Sequence, residues 1–581
     1  MCGIAFILSK KNSKISDDLN KHFIKYLYDR GPNNQNFYSE KNFSLISTRL
    51  SVIDTDNRSD QPFFSECNNF IMVFNGMIYN YRDLKKKYLK DCAFSTSSDT
   101  EVVLNMYIKY GKDCLKYLDG MFAFIIYDKK NNNFFIARDK IGIKPLYFCS
   151  NENYIFFSSS FKSLIQFSQK KISQSGLADY LKFGYSLEPN TILDDIKIFP
   201  NSSYAEIDTF KFKIQKYLDL QNLYFKEKYN QKYDYKKIEE KLSEVIKNHS
   251  LSDVSKCLFL SSGFDSNIIA SYCKKLKIQI DTITLSFEKF KNTKDDETLY
   301  VKELNKIYGF KNIVIYLKDD EVKKLKKEFE KKIDHPSTDG FNTYLITYYA
   351  KKLGYKVALS GLGGDEIFNT YGNLEKVKFI KHFNKFINYF KLGKLTKNIL
   401  KIKKFNFKIK NIIQKDLRDF SLYIYARSLF LGNEIKDVSK HQLGIDLEDI
   451  KEHDGFKEIY NLEEKFLEKK LSYFESNIYM KNQLLRDGDW ASMANSIELR
   501  VPFANSELID FFSNYKNNKN SRINILKNIN YDIYKIIKNK PKTGFSIPVN
   551  IFSKEKKQNP YRNFSLDKIK KYLNKNLDAN Y

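Results

Sequence analysis

Over the first 200 positions the chain repeats short apolar or alternating runs: FSLIS (43–47), NFIMVFN (69–75), MFAFIIYD (121–128), NFFIARD (133–139) and YIFFSS (154–159). Polar turns carrying Asn, Asp and Gly separate them, the pattern expected of stacked antiparallel sheets. Two helical stretches interrupt it, over 16–28 and 99–118, the second opening on Asp99 with Glu101 two residues on. Residues 201–240, polar and rich in Tyr, Lys and Asn, read as a linker. Beyond 241 the pattern changes. KCLFL (256–260), DTITLSF (281–287), NIVIYL (312–317) and KVALS (356–360) are strand-like, with helical stretches between them. That alternation predicts crossover units and a parallel sheet. Segment 465–515 again reads as helical, and 554–581 as a peripheral polar tail.

The stretch 375–414 is very basic, with Phe, Ile and Leu at roughly helical spacing. A partner-binding or membrane-surface helix is one reading of it. A packed helix with a lysine-rich outer face is the favoured one.

Length and composition sharpen this picture. A chain of 581 residues exceeds what one core organises, so two domains are expected, 2–200 and 241–553. No run of about eighteen uncharged apolar residues occurs, which argues against a membrane span. The N-terminal MCGIAFILSK is too short for a signal peptide and lacks a basic leading segment, so a cytoplasmic protein is expected. Seven cysteines, an odd number with no CxxC, point away from a disulfide framework or zinc site. Six of them fit small buried hydrophobes; Cys2 is the exception. The formal charge of +28 raises nucleic acid as a partner. The excess is carried by lysine and spread along most of the chain, the mark of compositional bias, so nucleic acid is not the expected partner.

Removal of Met1 would leave Cys2 with both a thiol and a free α-amine. An α-amine of pKa about 7.7–8.0 is partly unprotonated near neutrality and can serve as base to its own thiol. The surroundings of Cys2 then matter. MCGIAF resembles the start of the class II glutamine amidotransferases, and RGP (30–32), RLSVID (49–54), FNGMIYNY (74–81), SSDTEVVL (97–104), GMFAF (120–124) and ARDKIGIKPLY (137–147) follow in that family's order. The resemblance implies that Asn75 and Gly76 form the oxyanion hole for attack by Cys2. It implies that Arg49 holds the glutamine α-carboxylate and Asp99 its ammonium, with Leu50, Val52 and Ile53 lining the same pocket. One departure stands out: the family's usual NGE is Asn75-Gly76-Met77 here. The missing carboxylate predicts weaker glutamine binding.

After KCLFL comes Ser261-Ser262-Gly263-Phe264-Asp265-Ser266, small residues between a strand and a helix, a setting suited to pyrophosphate. The loop resembles the SGGxDS loop of the ATP pyrophosphatases, with Ser262 for the first glycine. DHPSTDGFNTY (334–344), VALSGLGGDEIF (357–368), YMKNQLLRDGDWASMANSIELRVPF (479–503) and NKPKTGFSIP (539–548) resemble the synthetase domain of glutamine-hydrolysing asparagine synthetases, again in family order.

The combined resemblance implies an α+β N-terminal-nucleophile sandwich, antiparallel sheets between helices, followed by an α/β parallel-sheet synthetase domain. It implies ATP and Mg²⁺ as cofactors, with Asp265 and Asp365 on the metal and Glu366 a further carboxylate nearby. Leu260, Leu285, Ser360 and Gly361 are expected to line the nucleotide pocket with the 261–266 loop. The implied reaction adenylates a carboxylate and displaces AMP with ammonia released at Cys2. Glutamine, ATP and aspartate are the expected partners, and a homodimer is compatible with the resemblance. Two further departures bear on the acceptor. The acidic residue the family often carries after Ser-Gly is Leu362, and the lysine associated with adenylation maps onto Arg522 or Lys527. The same mechanism could therefore serve another carboxylate, such as a sugar uronate in surface-polysaccharide synthesis. A degenerate fold serving as a basic nucleic-acid-binding protein is the remote alternative, and its binding would weaken steeply with salt.

Overall fold

The computed structural model describes residues 1–208, 210–225, 232–293, 296–372, 375, 377–379, 381–382, 419–447, 466–516, 519–538 and 560–577. Most of the basic stretch 375–414 and all of NKPKTGFSIP (539–548) lie outside the described residues.

The N-terminal half packs two six-stranded antiparallel sheets face to face. The first runs in the order Ile196–Ile198, Tyr147–Ser150, Tyr154–Ser158, Cys2–Ser9, Phe43–Arg49, Asn34–Glu40. The second runs Gln215–Lys216, Ser203–Ile207, Asn133–Arg138, Gly120–Asp128, Phe70–Ile78, Phe63–Phe64. CGIAFILS is apolar on nearly every residue because both faces of its strand are covered. Ile4, Phe6 and Leu8 face the core between the sheets, while Ala5 and Ile7 pack with Phe23 and Leu27 of the helix Asp17–Leu27. Each such fully buried side chain contributes on the order of 1.5–3 kcal/mol. A second helix, Asp99–Tyr110, is capped by the Ser98 hydroxyl, which accepts from Thr100 N at 3.1 Å. It stops at Gly111 (φ 53°) and continues only as the 3-10 turn Gly111–Lys116, short of the predicted 118.

The second half is built on a parallel sheet in the order Asn312–Leu317, Asp281–Phe287, Lys256–Phe259, Val357–Leu359, Glu498–Arg500, with helices between the strands. All four predicted strands are present. The fifth, Glu498–Arg500, falls in a segment read as helical. The rest of that segment is helical, including a π-wound stretch over Glu475–Leu485. No described helix is long and apolar enough to cross a membrane.

Two boundaries differ from expectation. Ser203–Ile207 pairs with Asn133–Arg138, and Gln215–Lys216 pairs in turn with Ser203–Ile207, so the first half of the 201–240 linker is sheet. Its last part opens the helix Tyr235–His249, capped by Asp234. The C-terminal segment is not a peripheral tail: Pro560–Leu577 is a helix whose Leu566, Ile569, Tyr572 and Leu573 are buried. These four lie at helical spacing among lysines, and the lysines set the segment's mean polarity while the stripe sets its packing.

Candidate functional site

Cys2 opens the central strand of the first sheet, opposite Arg49 in register. Its backbone N–H donates to Asn75 Oδ1 at 3.2 Å, its carbonyl accepts from Arg30 Nε at 3.2 Å, and Gln61 Nε2 lies 3.7 Å from its sulfur. Burial pushes the thiol pKa up, against the pull of the N-terminal amine and Arg49. Asn75 is wholly buried, and its Nδ2 reaches Ser159 Oγ at 3.4 Å. Gly76 is required by sterics, since a Cβ there would meet Met121 O at 2.3 Å.

The Arg49 guanidinium is oriented by Asp60 (2.7 Å), by the Asp56 carbonyl (2.9 Å) and by the Asp54 carbonyl. Asp99 sits in the first turn of its helix and accepts from Ile78 N at 2.9 Å. Burial raises its pKa to about 6, and the Ile78 hydrogen bond partly opposes the rise. One cavity is lined by Cys2, Arg49, Leu50, Val52, Ile53, Gly76 and Asp99 together. Asn75 stands behind it, in contact through Cys2.

The same cavity has walls that sequence reasoning missed: Gln61, Phe74, Met77, Ser98, Thr100 and, from the other half of the chain, Glu498. The Glu498 carboxylate accepts from the Met1 amine at 2.7 Å and from Arg500 Nε at 2.6 Å. Burial would raise its pKa, but the amine and Arg500 hold it down at about 2. The signal for it was a Glu and an Arg alternating inside the apolar run IELRV.

Arg30 also reaches across the domain boundary. Its Nη1 lies 2.8 Å from Asp489, whose other oxygen takes Lys144 Nζ at 2.9 Å. All three are buried, and these two cations hold the Asp489 carboxyl below its usual range despite burial. Beside this cluster runs a narrow cavity walled by Ile143, Leu362, Leu484, Leu485, Leu499 and Val501. Lys144, Gly488 and Asp489 complete its wall, and Leu362 belongs to the loop that follows Ser360 and Gly361.

That second site lies where the parallel strands end, the usual ligand position in such sheets. Leu260 N donates to Ile283 O (3.0 Å), with Leu285 two residues further along the neighbouring strand. Ser261 and Ser262 then lead into Gly263, the N-cap of Phe264–Lys275. Asn267 Nδ2 ties the turn by donating to Ser261 O (2.9 Å) and Gly263 O (2.7 Å), and Ser261 Oγ lies 3.0 Å from Ser266 Oγ. Ser360 N donates to Arg500 O at 2.9 Å, and Gly361 packs so closely that a Cβ would stand 3.0 Å from Ser266 N. Gly364 is tighter still: a Cβ there would stand 2.6 Å from Asp265 Cγ.

Asp265 and Asp365 converge on a single nitrogen, Arg522 Nη1, at 2.8 and 3.0 Å. Lys527, the other candidate for that cationic position, lies over the Tyr534 ring at 6.0 Å. Glu366 is buried and turned to Tyr371, whose hydroxyl donates to it at 2.8 Å; burial and Asp365 raise its pKa to about 8. Its carboxyl group therefore faces Tyr371, while Asp265 and Asp365 face each other across Arg522. Among the described residues no three His, Cys, Asp or Glu side chains gather as a metal cage. Two carboxylates sharing one cation nevertheless suit Mg²⁺, which takes one or two carboxylates and completes its shell with phosphate oxygen and water.

Residues 1–218 match the family described as glutamine amidotransferase domain, and residues 237–576 the one described as asparagine synthase. Asparagine synthetase [glutamine-hydrolyzing] 1 of Bacillus subtilis is 27% identical over 579 residues, covering 97% of this chain and 89% of that one. Putative asparagine synthetase [glutamine-hydrolyzing] 2 of Methanocaldococcus jannaschii is 31% identical over 422 residues, 67% of this chain and 79% of that one. Asparagine synthetase B [glutamine-hydrolyzing] of Escherichia coli is 25% identical over 396 residues, 64% of this chain and 65% of that one.

Proposed function

Because this chain belongs to the asparagine synthase family and carries its glutamine amidotransferase domain, we propose that it is an ATP-dependent carbon–nitrogen ligase that makes asparagine from aspartate with nitrogen from glutamine. The observation that carries this reading is the single cavity gathering Cys2, Arg49, Gly76 and Asp99, connected by the Arg30–Asp489 contact to the ATP loop's half of the chain.

With Met1 removed, the Cys2 amine takes the thiol proton as sulfur attacks the glutamine amide carbon. Arg49 and Asp99 hold the two charged ends of glutamine, and Asn75 with the Gly76 N–H stabilises the oxyanion. Collapse of the tetrahedral species expels ammonia and leaves a thioester, which water hydrolyses to glutamate. Ammonia would then cross the domain boundary, where the narrow cavity walled by Leu362, Leu484, Leu499 and Val501, with the Lys144–Asp489 pair at its side, is the candidate way. There the acceptor carboxylate attacks the α-phosphorus of ATP, pyrophosphate leaves, and ammonia displaces AMP from the acyl-adenylate. Asp265 and Asp365 would hold Mg²⁺, which when bound neutralises phosphate charge. Arg522, on those two carboxylates, is a cation that would face the same phosphates with a planar fork. An enzyme of this kind draws on the cytoplasmic pool of ATP and glutamine.

Leu362 favours a second reading, the same mechanism with another carboxylate as acceptor, because an apolar side chain stands where the family often has an acidic one. Pyrophosphate release with ATP, glutamine and a panel of carboxylates tests both. Release with aspartate supports the first reading, and release only with a nucleotide-linked uronate supports the second. Release with no acceptor in the panel counts against both.

A further inference from the structure

Two helices far apart in sequence, Asp319–Lys332 and Pro560–Leu577, meet over the loop carrying Pro336 and Ser337, and a cavity of about 460 Å³ lies between them. Lys327 and Lys331 line it from the first helix, and Lys568, Lys571 and Lys575 from the second; among the described lining residues Glu330 is the one carboxylate. The second helix is anchored there by the Tyr572 hydroxyl, which donates to Asp334 O at 2.9 Å.

Lys327, Lys331, Lys571 and Lys575 are exposed at the cavity's mouth, and Lys568 lies deeper. Lys568 is half-buried over the rings of Phe329 (4.9 Å) and Phe564 (5.4 Å), and Lys575 donates to the Glu330 backbone carbonyl at 2.9 Å. Lys162, from the other domain, donates to Lys331 O at 2.9 Å and adds an ammonium at the rim. Burial, with Lys326 and Lys571 close by, brings Lys568 down to about 8 against the pull of Glu330. Burial and Lys331 likewise lower Lys575. Like charges gathered around one concave space repel, and an anion spanning them removes the repulsion.

We propose that this cavity binds a small anion carrying clustered phosphates, and that it does so with none of the residues of the ATP loop. Ammonium groups act as point charges toward phosphate oxygen, and five around one space suit several linked phosphates better than a single carboxylate. The volume is that of a small-molecule site.

The test uses the full chain at about 0.15 M salt, where loose surface attraction is screened. Amine acylation near pH 8, read by mass spectrometry, is run with and without inorganic tripolyphosphate. Protection of Lys568 and Lys571, with exposed Lys11 unprotected, is the expected result. Calorimetry with the doubly substituted K568Q/K571Q chain is expected to show tripolyphosphate affinity reduced about tenfold or more. Equal acylation with and without tripolyphosphate overturns the proposal, as does unchanged affinity in the double variant. A twenty-nucleotide RNA protecting these lysines where tripolyphosphate does not would also overturn it, in favour of a nucleic-acid surface.

Discussion

The two candidate sites are assembled in different ways. At Cys2 the polar groups are already held by fixed neighbours: Arg49 by Asp60 and backbone carbonyls, Asp99 by Ile78 N, and the Cys2 N–H by Asn75. At the ATP loop the two carboxylates are instead neutralised by Arg522, 257 residues downstream of Asp265. On the proposed function the first pocket is preorganised for a small zwitterion, and Arg522 occupies the place proposed for a metal–phosphate group, so ligand binding there would rearrange an ion pair. Preorganised sites lose most through deletion of a reacting atom, whereas exchange sites respond to the charge balance around them.

The largest effect that sharpens this contrast is at the nucleophile. Cys2→Ala is expected to cut glutamine hydrolysis by about 10⁴-fold or more while ammonia-dependent synthesis continues. Loss of both activities would mean the sites are not separable. Next comes Asp265→Asn, expected to lower pyrophosphate formation by about 10²-fold or more and leave glutaminase turnover within a factor of about two. A matching fall in glutaminase would dissolve the contrast.

The pH dependence of the first site follows from Asp99. Its carboxyl titrates at about 6, above the ordinary range, because it is buried. Below that pH it is neutral and, in its proposed role, would not pair with the glutamine ammonium, so KM for glutamine should fall as pH rises from 5 to 7 and then level off. The sign for stability is opposite. A raised folded-state pKa favours the fold at low pH, and that contribution is lost as pH climbs from about 4 through about 6. Bound glutamine should therefore raise the melting temperature more at pH 7 than at pH 5. The smallest effect expected is for Met77→Glu, which restores a carboxylate to the pocket wall and should lower KM for glutamine several-fold. An unchanged KM would show that Asp99 alone is sufficient.

How much of this was legible in the sequence depends on where each cause lies. Of the sheet that holds Cys2, Cys2–Ser9 itself, apolar on both faces, gives no alternation to read as a strand, whereas Phe43–Arg49 and Tyr154–Ser158 were readable from their short apolar runs and turn residues. The parallel strands were readable for the same reason. Glu498 was not: a three-residue strand leaves too short a period, and its buried charge is balanced by Arg500 two residues on and by the Met1 amine from the far end of the chain. Arg522 and Lys527 could not be separated from sequence, since both lie on the helix Lys519–Ile529 and only the packing turns Arg522 to the carboxylates. Ser203–Ile207 was hidden because its short run SYAEI mixes Ser and Glu with its buried residues, and Gln215–Lys216 because it is a two-residue exposed edge strand.

The central claim is that nitrogen passes within one chain from glutamine at Cys2 to an activated carboxylate. Glutamine labelled with ¹⁵N in the amide, supplied with ATP, aspartate and excess unlabelled ammonium, tests it directly by mass spectrometry of the product. The account predicts asparagine carrying mostly ¹⁵N from the wild-type chain and only ¹⁴N from Cys2→Ala. Wild-type product drawn from the unlabelled pool would contradict it.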